Sequence, residues 1–460
     1  MMPDGPDGRP ESVPAEPAGP EPGRPGRTVP RPWWALAVVQ LLVLVAGTLA
    51  VPPLLHPTAH SSASVHSPPT VAPTVARSME PGDVVAGVSR VLAARDKALL
   101  ARRRSAFLSA TAPKSTAAAQ AALLYADTAQ VPLSGWDEKV DAASVTAVPG
   151  RPATYRLDIV RRYRLRGFDP GGVPQRRTLT VVHTSTDWRV LTDVAADGAR
   201  LELWESGPVV VGHGASSLVL AHPADRAKIA PYAALADSAV REVTRVWGTG
   251  WEKRVVLIVP ATGEELGGVL QSHADYSQIA ALATADVVDS GGLRAALAER
   301  VVVNPATFSR LTPLGQRIVL THEVTHVASR LDTGPSSPSW LVEGLADYVA
   351  YRDAGVATRV AARDLVTAAR SGGLPAALPS DADFDPTAHD LTAAYELSWL
   401  ACRLIVQRTG EAKLLAFYRA VGADHGAQDE VVRRQMAAVL STTPQSFTTA
   451  WRQYVASAVS

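Results

Sequence analysis

Cysteine is nearly missing from the 460-residue chain: Cys402 stands alone, which excludes an intramolecular disulfide and a cysteine-rich metal site. An excess of charge of either sign is missing too. The 45 Lys and Arg residues face 44 Asp and Glu, for a formal net charge of +1. Without a basic field there is nothing to draw a polyanion, so no nucleic-acid partner is expected. The basic clusters Arg102-Arg103-Arg104, Arg161-Arg162 and Arg176-Arg177 read as solvated faces. Between residue 51 and Arg77 there is no charged residue at all.

What is present begins with a tail. Residues 1–32 are rich in Pro, Gly and charge and cannot bury enough apolar surface to fold, so a disordered segment is expected. Residues 33–51, "WWALAVVQLLVLVAGTLAV", are uncharged. As a helix they reach about 28 Å, close to the hydrocarbon thickness of a bilayer. Trp33 and Trp34 sit at one end, and Arg24, Arg27 and Arg31 precede them. The positive-inside bias then places the N-terminus in the cytoplasm and the rest outside, as a single-pass protein of the cell membrane. A cleaved signal peptide competes with this reading, because "GTLA" ends in small residues. The long preceding tail favours an uncleaved anchor. Residues 52–80, rich in Pro, Ser, Thr, Val, Ala and His, read as an extended stalk.

Two α+β regions are expected beyond the stalk. In the first, 81–200, residues 83–110 carry apolar side chains at helical spacing, with Asp83 placed to cap the start, and a second helix falls near 117–126. The period then becomes two: Tyr155, Leu157 and Ile159 alternate with Arg156 and Asp158, and two more strands follow Gly171-Gly172. Helices followed by an antiparallel sheet resemble the cone-like NTF2-like fold. No catalytic constellation stands out there, and a spacer or binding role is the expectation. In the second region, 201–460, a strand hairpin, a helix and further strands including "RVVVNPA" give way to helices: a mixed sheet followed by helices.

The second region holds "PLGQRIVLTHEVTHVASRL". His322 and His326 are four apart and share a helix face, so both imidazoles can ligate one tetrahedral metal ion. Glu323 lies about 100° round the helix, poorly aligned as a ligand and well placed as general base toward a metal-activated water. The pattern alone arises by chance about once in a hundred chains of this composition. The sequel narrows it. Gly334, Pro335 and Pro338 break the helix, and "SWLVEGLADYVAY" starts another. Glu343 on that helix can return as a third, anionic ligand, completing a His2Glu catalytic zinc set. Asp347, one turn on, can accept the free ring N–H of a ligating histidine. Trp340, Leu341, Leu345 and Tyr348 argue that this helix is buried, and buried carboxylates need a partner.

"HEVTH" followed by "WLVEGLADY" resembles the gluzincin metallopeptidases of the peptidase MA-like group. The resemblance is firm over 301–351. It implies one zinc ion held by His322, His326 and Glu343, Glu323 as base, and a peptide or protein substrate. It also implies an oxyanion-stabilising tyrosine on a later helix, for which Tyr395 in "TAAYELSWL" is the candidate, with Ser398 nearby. An edge strand that pairs with extended substrate would fall on "RVVVNPA", where Asn304 reads as structural. The competing reading is a catalytically inactive, peptidase-like binding protein of the envelope.

Overall fold

The computed structural model describes residues 79–460, apart from 273, 275, 277, 278, 291, 292, 386 and 387 and the side chains of 288–290, 293 and 294. The expected tail, membrane span and nearly all of the stalk lie outside the described residues. Among the described residues no helix is long and apolar enough to cross a membrane. The described chain is mixed α+β.

Helix α1 (Pro81–Leu100) opens the fold, followed by α2 (Arg104–Leu108) and α3 (Thr116–Asp127). The expected single helix over 83–110 is therefore two, broken where Arg102 takes a positive φ of 54°. Asp83 does not cap α1. Glu80 is the N-cap residue, Pro81 occupies the first turn where its missing N–H costs nothing, and Asp83 lies inside that turn. Five strands follow: β1 (Leu133–Val140), β2 (Thr146–Ala147), β3 (Thr154–Leu165), β4 (Val173–His183) and β5 (Trp188–Ala195). They form an antiparallel sheet in the order β1-β3-β4-β5, with β2 beside β3. The period of two buries Tyr155, Leu157 and Ile159 against Val84, Val88 and Leu92, which recur every four residues along α1.

Arg161 shares the parity of Tyr155, Leu157 and Ile159, and the sheet carries it inward as well. The expectation of solvated faces is thus wrong for Arg161 and Arg177, which are buried. Arg161 Nε donates to Glu138 Oε1 at 2.8 Å, and its Nη2 to Asp193 Oδ2 at 2.7 Å. Arg177 bonds Asp193 and Glu205, and Arg95 Nη2 reaches Asp193 at 3.0 Å. Burial works against the charge of Asp193, but the three guanidiniums hold its carboxyl well below the usual range.

A second sheet begins with the hairpin β6 (Val210–His213) and β7 (Ser217–Ala221). Helix α4 (Arg226–Trp247) leads to β8 (Val255–Val259), parallel to β7. After α5 (Gly263–Leu270) come β9 (Ala281–Thr284), a ribbon of β10 (Val287–Ser290) and β11 (Leu293–Ala296), and β12 (Arg300–Val303). The sheet order is β6-β7-β8-β12-β9, with β12 parallel to β8 and antiparallel to β9. So "RVVVNPA" is not an edge. It is flanked on both sides, and β9 holds the edge. Asn304 caps α6 (Pro305–Phe308), accepting from Ala306 N–H at 3.0 Å and donating to the Ile279 carbonyl at 2.8 Å.

The rest is helical: α7 (Pro313–Ser329), α8 (Ser339–Tyr351), α9 (Thr358–Ala361), α10 (Arg363–Arg370), α11 (Leu391–Thr409), α12 (Glu411–Ala423), α13 (Gln428–Leu440) and α14 (Pro444–Val459). Helix α7 packs against α4, β9 and α8, and α8 packs on α11. The two sheets are joined by a buried two-bond contact, Arg300 to Asp169 at 2.8 and 3.0 Å, and by the Tyr163 ring edge-on to Trp204.

Candidate metal centre

Helix α7 starts where the Thr312 hydroxyl accepts the Gly315 N–H and Pro313 takes the first helical position. Every residue from 318 to 330 is buried, so the helix is enclosed on all sides and its histidines lie in the interior. The turn after it presses close to α12: a Cβ on Gly334 would stand 2.1 Å from the Gly422 carbonyl oxygen. Helix α8 then returns alongside α7. The later histidine, His326, meets the earlier carboxylate Glu343, while His322 meets both Glu343 and the later Asp347.

The ligating atoms of His322, His326 and Glu343 all lie within 4.8 Å of one another. His322 Nε2 and His326 Nε2 are 2.9 Å apart, and each is 3.2 Å from Glu343 Oε2. On its other side, His322 Nδ1 stands 2.7 Å from Asp347 Oδ1. An Nδ1–H donated to that carboxylate leaves Nε2 as a lone pair directed at the other two ligand atoms. Three electron-rich atoms then converge with one proton at most between them. Such a set could hold a cation, and two imidazoles with one carboxylate are a donor set that suits zinc.

Glu323 sits beside this set. Its Oε2 accepts the Ala283 N–H at 2.7 Å, and its Oε1 is buried without a partner among the described residues. A buried carboxylate oxygen beside the candidate ligand set is placed as a proton acceptor would need to be. Sequence alone did not single out Ala283. Its segment reads as a strand, but its place at the sheet edge depends on pairings that periodicity does not reveal.

Compared with known proteins, the chain matches no protein-family model and no curated protein.

The electrostatics of the metal-free centre follow from burial and mutual contact. Burial lowers the basicity of His322, but the Asp347 carboxylate more than offsets it and carries the ring to about 10. Burial also lowers His326. Burial raises Glu323 to about 8, with His322 pulling the other way. Burial opposes the charge on Glu343 as well, yet His326 and His322 hold it below its usual value. The His322 Nδ1–H stays with Asp347 and Glu343 is ionised; a cation held by this cluster would take the place of the second imidazole proton, at Nε2.

Tyr395 is brought to the centre by α11. Its ring lies 6.1 Å from the His322 ring and meets Phe384 edge-on at 5.4 Å. Close packing of α11 on α8 sets this distance: a Cβ on Gly344 would stand 2.4 Å from the Ser398 carbonyl oxygen. Ser398 itself turns away, its hydroxyl donating to the Ala394 carbonyl of its own helix at 2.6 Å.

Proposed function

We propose that the chain is a zinc-dependent metallopeptidase of gluzincin type, anchored in the membrane by residues 33–51 and working on the extracytoplasmic side. The convergence of His322, His326 and Glu343, with the unpartnered Glu323 oxygen beside them, carries the reading. His322, His326 and Glu343 would hold the ion, and Asp347 would fix the His322 tautomer. When bound, zinc supplies a Lewis acid that polarises a carbonyl and acidifies water. Glu323 Oε1 takes a proton from the attacking water and passes it to the leaving amine. The Tyr395 hydroxyl donates to the oxygen on which negative charge develops. Enclosure of 318–330 keeps bulk water from these charges and strengthens each interaction. Region 81–200, read as NTF2-like, is the non-catalytic part, and region 201–460 the zincin part. The anchor rests on the uncharged run at 33–51 and on the arginines before it.

Glu323→Gln tests this directly. The amide matches the carboxylate in shape but cannot accept the proton. The variant should keep one zinc per chain and the wild-type melting temperature, and lose about 10²–10⁴-fold in turnover of unstructured peptide. Equal cleavage by both proteins would remove Glu323 from the chemistry. A zinc-loaded wild type inert toward a broad peptide library would favour the inactive binding protein instead.

A further inference from the structure

A cavity of about 340 Å³ lies outside the metal centre, at the seam between the first sheet and the segment leading to the second. Its size falls in the range of small-molecule sites. Six charged residues line it: Arg95, Arg161, Arg177, Asp193, Glu205 and Asp127. Five of them belong to one ion-pair network. Arg95, Arg161 and Arg177 each bind Asp193, and Arg177 also binds Glu205. Glu138, which is not part of the lining, takes Arg161 and Arg95 and brings the network to three guanidiniums and three carboxylates.

Asp127 stands outside that network. It is only 6% exposed, yet among the described residues its carboxylate forms no hydrogen bond and no ion pair. It is also the last residue of α3, where the carbonyl end of the helix dipole disfavours negative charge. Burial raises its carboxyl above the usual value, and His222 pulls the other way. The His222 ring is engaged elsewhere, with Nδ1 2.9 Å from the Pro208 carbonyl oxygen and Nε2 2.6 Å from Glu265 Oε1. A buried carboxylate without a partner is costly, and a cation entering the cavity would supply one. The three guanidiniums do little to repel it, because their charge is met by their own carboxylates. The wall next to Asp127 is apolar. Leu123 and Leu124 lie one turn before it on the same face of α3, and Trp204 and Pro208 line the cavity as well. Leu123 is 62% exposed and marks the mouth, while Leu124 and Trp204 are buried.

We propose that this cavity binds a small primary ammonium ion with an apolar body, its nitrogen at Asp127 and its hydrocarbon part along Leu124, Trp204 and Pro208. One carboxylate is unmet, so one positive charge completes the site. An ammonium is a compact donor that fits a single carboxylate by charge-assisted hydrogen bonds, and the apolar wall adds burial. The site is separate from the metal centre and does not depend on the peptidase reading.

The test uses the full-length chain in phosphatidylcholine nanodiscs, which carry no net charge, with empty nanodiscs as blank and calorimetry as the readout. Hexylamine, protonated at neutral pH, should bind with a Kd below about 1 mM. Hexanol, which lacks the charge, and methylamine, which lacks the body, should bind at least about tenfold more weakly. Asp127→Asn keeps the shape and removes the charge. It should weaken hexylamine by about tenfold or more, and should not lower the ligand-free melting temperature, because no ion pair is lost. Should that variant fail to fold, Leu123→Lys decides. It changes an exposed position, places an ammonium one turn before Asp127, and should weaken hexylamine by about tenfold by occupying the carboxylate from within the chain. Zinc removal should leave hexylamine binding intact, which separates this site from the metal centre. No heat with hexylamine, equal binding of hexanol or methylamine, or an unchanged Kd in Asp127→Asn or in Leu123→Lys would each overturn the assignment.

Discussion

The first sheet buries Arg95, Arg161 and Arg177 against Glu138, Asp193 and Glu205, while the α7–α8 pair buries Glu323, Glu343 and Asp347 against two histidines. Both clusters are cut off from water, and both must compensate their charge to remain so. The first does it from its own side chains, one guanidinium for each carboxylate. In the second, no Lys or Arg forms an ion pair with any of the three carboxylates among the described residues. The first cluster is closed in charge by its own arginines. The second has only its histidines to meet its carboxylates, and that difference is what supports reading it, and not the first, as a metal site.

Removing one member should separate the two clusters most sharply. His322→Ala takes away one of three protein ligands and should reduce bound zinc from one per chain to none by elemental analysis. Arg161→Met leaves Glu138 with only the 3.5 Å contact to Arg95 and takes one of three guanidiniums from Asp193, and should cost about 3–5 kcal/mol in denaturant unfolding, with zinc content unchanged. Full zinc in His322→Ala would break the comparison. So would an Arg161→Met protein that keeps its stability and loses its zinc.

On the metallopeptidase reading the second cluster divides further, into residues that would hold the ion and residues that would act on substrate. Tyr395→Phe removes only a hydroxyl. It should lower kcat by about 10²–10³ with zinc binding and melting temperature unchanged. Ser398→Ala, one turn along the same helix, should alter none of the three, because its hydroxyl is spent on Ala394. A Tyr395→Phe enzyme with wild-type kcat would return Tyr395 to the packing between Phe384 and His322.

On the same reading Asp347 would act on the ion only through His322, which it touches at 2.7 Å. Asp347→Ala should weaken zinc by about 10- to 100-fold, read by competition with a chelating dye, since the ring loses its fixed tautomer. Asp347→Asn can still accept the Nδ1–H and should recover part of that loss. Loss of zinc as complete as in His322→Ala would make Asp347 a ligand in its own right.

How far these clusters could be read from sequence depends on what fixed them. The meeting of His322, His326, Glu343 and Asp347 was legible because a helix repeats at 3.6 residues: the spacing set the two histidines on one face, and the short break let the next helix return both carboxylates to it. The charged cluster of the first sheet was not legible. Arg161 and Arg177 read as surface residues by type, and only the parity they share with buried neighbours betrays them. Strand β1 was missed for a related reason, since its buried positions Trp136 and Glu138 break the apolar alternation. The edge role expected of residues 300–303 failed because strand order is set by tertiary pairing, and here β9 pairs outside β12.

Glu396 offers the mildest contrast, a buried acid met chiefly by backbone N–H groups, with Arg363 adding a weaker pull. Its two carboxylate oxygens accept the N–H groups of Asp364 at 3.2 Å and Leu365 at 2.9 Å, at the start of α10. Burial pushes its pKa up and the two N–H donors pull it back, leaving it at about 7, above its usual value of 4.5. The folded state therefore holds this proton more tightly than the unfolded state. The stabilisation from that proton is complete below about pH 4.5 and is lost as pH rises through about 7. Its size is on the order of 1–3 kcal/mol. Glu396→Gln has no proton to lose, and its carbonyl oxygen still accepts a backbone N–H. Relative to wild type, the variant should gain stability on going from about pH 5 to about pH 8, by the amount the wild-type carboxyl loses. Urea melts of both proteins at the two pH values measure this difference, and titrations common to both cancel. A variant-minus-wild-type difference that stays constant with pH would mean that the Glu396 carboxylate is already ionised in the fold, held by its two backbone donors alone.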